Sequence, residues 1–200
     1  FLGSVSNPKE SILVNVGTGS QISGYANILT KIDGLDCRPL LDDSYILAGS
    51  SLCGGRAYAI LEKLFKEVAE TVCQTEVKSA YPAMDRLMEN YDDSLPHLNV
   101  STLFSGTRAN PNLKGGIENI GVDNFTMAGL CDGFMVGMAS ELFDMYQEIL
   151  PHLSKKPTLM IGSGNGIRMS PFLQKRFENI FGLKMQVPVH IQQVVMKDMT

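Results

Sequence analysis

Three glycine-rich turns carry the residue types in this chain that are best suited to binding chemistry. They are Gly17-Thr18-Gly19-Ser20, Gly54-Gly55 and Gly162-Ser163-Gly164-Asn165-Gly166. Glycine leaves backbone N–H groups accessible, and with Thr and Ser hydroxyls they can wrap phosphate oxygens without any cation. The first turn is also typical of a β-hairpin that needs glycine for its geometry.

The other two turns lie beside predicted regular elements. Gly54-Gly55 begins a helical pattern, and a helix N-terminus offers a phosphate unpaired N–H groups and the positive end of the helix dipole. The same two glycines are also explained simply by the start of a helix. In the third turn, small residues let a planar base or a ribose lie against the backbone, and Asn165 can hydrogen-bond it. This turn lacks both the GxGxxG spacing of a dinucleotide fold and the Lys of a P-loop, which excludes those two motifs.

Hydrophobic periodicity predicts the elements that position these turns. A β-hairpin is predicted over residues 11–26, and helices over 54–72, 81–91, 124–150 and 170–181. Short strands are predicted near residues 37–41, 45–48, 100–104, 158–161 and 184–187, and a loop over 110–119. Hairpin strands followed by alternating helices and strands predict one α/β domain with a mixed sheet and flanking helices.

Two of these helices carry packing predictions. The first has one apolar stripe, made of Ala57, Leu61, Leu64, Phe65, Val68 and Val72. The third carries Gly129, Gly133 and Gly137 at four-residue spacing. Because glycine costs helix stability, that spacing predicts close approach of another backbone, with direct ligand contact as the alternative. Asp132 is predicted to be solvated or paired along the helix, and Arg108 to form an ion pair or to contribute to an interdomain cleft.

Composition argues against several functional classes. The 200 residues contain 17 Lys plus Arg and 21 Asp plus Glu, a formal net charge of −4, which provides no field to attract nucleic acid or an anionic membrane. The longest apolar stretch, residues 125–150, is interrupted by acids, so no membrane span is predicted. The four cysteines and three histidines are unclustered, so no metal site is predicted. With no export signal, these thiols indicate a reducing, cytoplasmic setting.

Several blocks of the chain, taken in order, resemble the C-terminal half of the FGGY carbohydrate kinases, which have an ATPase fold of the actin, hexokinase and Hsp70 type (ribonuclease H-like). The blocks are Val14-Asn-Val-Gly-Thr-Gly-Ser20, Ala48-Gly-Ser-Ser-Leu-Cys-Gly-Gly55, Leu103-Phe-Ser-Gly-Thr-Arg108, Met160-Ile-Gly-Ser-Gly164, and Pro171-Phe-Leu-Gln174 through Phe181-Gly182. Together they span most of the chain. They look most similar to sedoheptulokinase-like members.

The resemblance implies that residues 1–200 are the ATP-binding half of a two-domain kinase. Such a kinase transfers the γ-phosphate of ATP to a hydroxyl of a sugar, here sedoheptulose or another ketose, with ATP and Mg²⁺ as cofactors. The implied phosphate-binding residues are Gly17, Thr18, Gly19, Ser20, Gly54 and Gly55. The implied adenosine-binding residues are Gly162, Ser163, Gly164 and Asn165.

The chain also departs from the family pattern. The family's catalytic aspartate, in a Gly-Asp motif, has no match, so no catalytic residue is predicted and we expect a fragment that is inactive alone. Its implied partners are its own N-terminal sugar-binding domain and a sugar, and we expect self-association, as a homodimer. The alternative is a non-catalytic nucleotide-sensing or interaction module of the same fold. Residues 189–200 lack the acidic, alanine-rich helix that is usual in the family.

Overall fold

The computed structural model describes residues 3, 5 and 7–188. Its strands are β1 (Ser11–Val16), β2 (Ser20–Ala26), β3 (Asp36–Pro39), β4 (Tyr45–Ser51), β5 (Asn99–Ser101), β6 (Gly116–Glu118), β7 (Leu159–Ser163) and β8 (Lys184–Gln186). Its helices are α1 (Gly54–Cys73), α2 (Tyr81–Glu89), α3 (Met127–Ile149), α4 (Gly164–Met169) and α5 (Pro171–Phe181), with 3₁₀ turns at Pro8–Glu10 and Leu150–His152.

Six strands form one mixed sheet in the order β3-β4-β2-β1-β7-β8. The pairs β1–β2, β2–β4 and β3–β4 are antiparallel, whereas β1–β7 and β7–β8 are parallel. In the central strand β1, Ile12, Val14 and Val16 alternate along the chain and are fully buried, as the two-residue period of a strand requires. The mixed sheet, the hairpin and the four predicted helices are confirmed.

Two glycines of the α3 stripe, Gly133 and Gly137, lie against strand β5, which confirms the predicted close backbone approach. A Cβ atom on Gly137 would overlap the carbonyl oxygen of Val100. A Cβ atom on Gly133 would lie 2.9 Å from Val100 Cγ2 and 3.0 Å from Leu98 Cβ. Glycine therefore lets the long helix contact the backbone of β5 directly.

Two sequence predictions about this part of the fold are wrong in detail. Residues 110–119 are not all loop, because β6 pairs with β5 over three residues, too few to produce a periodic pattern. The apolar stripe of α1 lies on the expected face, but it is buried only as far as Phe65. Leu64, Val68 and Val72 are 46%, 47% and 74% exposed, because they form a row at four-residue spacing beside the buried row of Ala57, Leu61 and Phe65.

The sequence predicted that Asp132 is solvated or paired along its own helix. The structure shows neither arrangement. Its side chain is fully buried and accepts a hydrogen bond from Arg176 Nε on α5 at 2.6 Å. His97 Nδ1 lies 2.5 Å from its other oxygen. Arg108, in contrast, forms a predicted ion pair, with its Nη1 3.2 Å from Asp36 Oδ2.

None of the helices within residues 7–188 is both long enough and apolar enough to cross a bilayer. The departure predicted at residues 189–200 lies outside the described residues.

Candidate functional site

A cavity of about 710 Å³ lies where the end of β1, the start of α1 and the start of α4 meet. Each of the three glycine turns contributes to its lining, through Gly17 and Thr18, Gly55, and Asn165. Its volume falls within the range usual for small-molecule sites, roughly 300–1,000 Å³. The remaining lining residues come mainly from helices: Arg56, Tyr58, Ala59, Tyr81, Asp85, Met135, Met138, Gly166, Met169, Ser170 and Leu173.

The first two glycine turns pack directly on each other. The N–H groups of Gly55 and Arg56 donate hydrogen bonds to the carbonyls of Gly17 and Thr18, at 2.8 and 3.1 Å. A Cβ atom on Gly54 would lie 2.7 Å from Ser20 Cβ, so only glycine fits there. These two N–H groups of the first helical turn therefore already have hydrogen-bond partners within the protein.

The predicted residues of these turns therefore divide into two groups. Gly17, Thr18 and Gly55 line the cavity, whereas Ser20 and Gly54 are buried in the junction. Gly19 packs against the end of β4, where an added Cβ would lie 2.8 Å from the carbonyl oxygen of Ser51. Gly19, Ser20 and Gly54 thus pack the turn against the helix and the end of β4, and they are not among the residues that line the cavity.

The third turn is a strand-to-helix junction, in which β7 ends at Ser163 and the short helix α4 begins at Gly164. Gly164 has φ of +84°, and a Cβ atom there would overlap the carbonyl oxygen of Val16, so the position requires glycine. The hydroxyl of Ser163 donates to Asn15 Oδ1 at 3.0 Å. Gly162 is buried beside Met185. Of the four predicted residues, only Asn165 lines the cavity, and the other three position it.

Sequence reasoning missed the helical half of the cavity. Tyr58 and Tyr81 stack with ring centroids 6.1 Å apart, and Asp85 lies one turn further along α2 from Tyr81. Burial, and then the charge of Glu89, raises the pKa of Asp85. In the sequence these residues follow ordinary helical periodicity, so no local signal separated them from core or surface positions.

The buried Asp132 lies one helical turn behind the cavity wall. Met135 lines the cavity three residues after Asp132 on α3, and Leu173 lines it three residues before Arg176 on α5. Arg176 Nη2 also donates to Asp93 Oδ1, and its hydrogen bonds, followed by those of Lys175, lower the pKa of Asp93 to about 2. This ion-pair network joins the helices that form the apolar wall.

The fold matches several solved carbohydrate kinases. Xylulose kinase from Rhodospirillum rubrum superposes with a TM-score of 0.75 at 16% identity, covering 93% of this chain and 36% of that one. Gluconate kinase from Lactobacillus acidophilus gives 0.74 at 18% identity, with coverages of 92% and 36%. Glycerol kinase from Plasmodium falciparum, solved with ADP, gives 0.65 at 14% identity, with coverages of 90% and 35%.

The chain has the actin/hexokinase-type ATPase fold. Its mixed sheet and flanking helices match the C-terminal domains of FGGY carbohydrate kinases, which confirms the fold implied by the sequence blocks. The chain spans about a third of the length of these ATPase-fold kinases. No protein-family model and no curated protein sequence matches it.

Proposed function

We propose that this ATPase-fold chain is the ATP-binding domain of a carbohydrate kinase. The observation that carries the proposal is the convergence of three separate glycine turns on one cavity of about 710 Å³ in a fold shared with sugar kinases. Gly17 and Thr18 would contact the phosphates through backbone N–H and hydroxyl groups, and Asn165 would contact the nucleoside. In the described part of the chain no group of three His, Cys, Asp or Glu side chains could hold a metal ion. Mg²⁺ would therefore be held mainly by the phosphates and water, as is common for this ion.

The finer parts of the proposal rest on the resemblance of the sequence. The nucleotide supplies a phosphoryl group, and its acceptor would be the hydroxyl of a ketose such as sedoheptulose. A sugar-binding N-terminal domain would supply the catalytic carboxylate and close the cleft from the other side. This chain alone would then bind nucleotide without turning it over. Its cysteines are all unpaired thiols, as expected for a cytoplasmic protein.

Binding of nucleotide by the isolated chain tests the proposal. We expect calorimetric titration to detect binding of Mg-ADP and of Mg-ATP to the wild-type chain. The Gly17→Ala variant should bind each nucleotide about tenfold more weakly, because the added methyl group enters the phosphate end of the cavity. This variant should fold normally, since its nearest new contact, Gly19 O, lies 3.8 Å from the added Cβ. Gly116→Ala is the matched control, because an added Cβ there meets nothing within 4 Å, and its affinity should be unchanged.

Failure of the wild-type chain to bind either nucleotide would contradict the proposed function. A longer chain that binds Mg-ATP but phosphorylates no sugar would instead favour the non-catalytic nucleotide-sensing module.

The isolated chain is also proposed to self-associate through the exposed part of the α1 stripe, formed by Leu64, Val68 and Val72. Apolar side chains exposed in a row on one helix face are a common feature of interfaces. We expect sedimentation velocity to show a dimer that dissociates in the Leu64→Lys, Val68→Lys double variant. A wild-type chain that stays monomeric at high concentration would contradict this.

A further inference from the structure

We infer that Asp85, flanked by the Tyr58–Tyr81 ring pair, recognises the base of the bound nucleotide by accepting a hydrogen bond from the 6-amino group of adenine. The inference rests on the proposed function, because it assigns the base end of the cavity in which ATP is proposed to bind. Asp85 lies on α2, which is separate from all three glycine turns. The inference therefore adds a specificity-determining residue that the glycine turns do not contain.

The Asp85 carboxylate belongs to the cavity and not to a structural ion pair. Asp85 is half-buried in the wall, and no hydrogen bond from any described residue holds its carboxylate. Desolvation and the negative charge of Glu89, four residues along the helix, both disfavour its ionised form. A carboxylate kept in a cavity without a protein partner is available to accept a hydrogen bond from a ligand.

The apolar and aromatic surroundings of Asp85 suit a flat heterocycle. Tyr58 and Tyr81 stack with an interplanar angle of 24° and ring centroids 6.1 Å apart, and both line the cavity. Met138 and Leu173 line it from α3 and α5. Aromatic rings and methionine provide the broad contact surface that a purine ring buries on binding.

The charges that line the cavity fix the orientation of a nucleotide in it. Arg56 is the basic lining residue, and its backbone N–H is bonded to Thr18 of the first glycine turn. Asp85 is the acidic lining residue, and it lies on α2, whereas Arg56 lies in the first turn of α1 beside the glycine turn. The phosphates are therefore attracted to the glycine-turn end and repelled by Asp85, which leaves the base at α2.

A carboxylate at the base discriminates between purines by their hydrogen-bond donors. Carboxylate oxygens only accept hydrogen bonds, and the 6-amino group of adenine donates them. An unsubstituted purine has no donor at this position, so it would leave the carboxylate desolvated and unpaired, which is the costly arrangement.

The test compares Mg-ATP with Mg-purine riboside triphosphate, which differs only by lacking the 6-amino group. We expect calorimetric titrations to show that the wild-type chain binds Mg-ATP about tenfold more tightly than Mg-purine riboside triphosphate. This ratio of affinities corresponds to the loss of one hydrogen bond to a charged group. Asp85→Ala should lower this ratio to near one, and Asp85→Asn should retain part of it because the amide oxygen still accepts. Gly116→Ala, outside the cavity lining and with nothing within 4 Å of its added Cβ, should leave the ratio unchanged.

Thermal unfolding of the same variants separates binding from folding. Asp85→Ala is expected to unfold at the wild-type temperature or slightly above it, since it removes a desolvated charge and its repulsion from Glu89. Equal binding of the two triphosphates by the wild type, or an unchanged ratio in Asp85→Ala, would overturn the inference and leave the proposed function intact. Absence of binding of either triphosphate by the wild type would overturn both.

Discussion

Asp132→Ala is expected to destabilise the folded chain by about 3–5 kcal/mol, the usual cost of removing one partner from a buried ion pair. Asp132 is fully buried, and it accepts a hydrogen bond from Arg176 Nε at 2.6 Å. The side chain of Arg176 is itself only 7% exposed, so the variant leaves a guanidinium in a poorly solvated position. Asp93 still contacts this guanidinium, but from its exposed edge.

Urea unfolding measures this loss, and an exposed ion pair on the same molecule is the control. Asp36 lies 2.7 Å from Arg38 Nη2 and 3.2 Å from Arg108 Nη1, and all three side chains are substantially exposed. Asp36→Ala should therefore cost less than about 1 kcal/mol. Equal losses in the two variants would contradict the assignment of Asp132 as the centre of a buried network. Since domains of this size are stable by only roughly 5–15 kcal/mol, the expected loss is a large part of the total.

The backbone of the fold was predictable because its signals are local. In β1, alternating burial of Ile12, Val14 and Val16 follows directly from the strand period. Ser170-Pro171 and Gly182 mark the ends of α5, where Ser170 Oγ accepts from Leu173 N and Gly182 has φ of +63°. Periodicity alone does not predict how the strands are arranged in the sheet. That arrangement was predicted from the order of the glycine blocks, through the family resemblance.

The helical wall of the cavity and the network behind it were not predictable, because they depend on contacts distant in sequence. Asp132 meets His97 and Arg176, which lie 35 and 44 residues away along the chain. On a helix of mixed composition, an acid with such partners cannot be distinguished from a solvated one. Asp85 is hidden for the same reason, since only the tertiary packing of α2 makes it part of the cavity lining.

The three glycine turns all adjoin one cavity, but their glycines lie in different surroundings. Gly54 and Gly164 are needed where two backbones meet: beside Gly54 lies Ser20, and beside Gly164 lies Val16. A substitution at either position would disturb folding before it reported on binding. Gly17 borders open space, so it is the informative position in the phosphate-binding prediction.

Gly137→Ala on α3 is expected to destabilise the chain by about 2–3 kcal/mol, although alanine is the better helix former. In an exposed helix this change would add about 1 kcal/mol of stability, because glycine has the greater conformational freedom to lose. Here the new methyl group would overlap the carbonyl oxygen of Val100. That oxygen belongs to the backbone of β5, which pairs with β6, so it cannot move aside by a side-chain rotation.

The sign of the change in unfolding free energy decides between close packing and helix propensity. Ser140→Ala, three residues further along α3 and only partly buried, is the control and should alter stability by less than about 0.5 kcal/mol. Stabilisation by Gly137→Ala would mean that β5 does not rest on this helix in solution. Destabilisation confined to Gly137→Ala would establish that the glycine spacing brings two backbones together. The opposite side of α3, with Met135 and Met138, is then free to line the cavity.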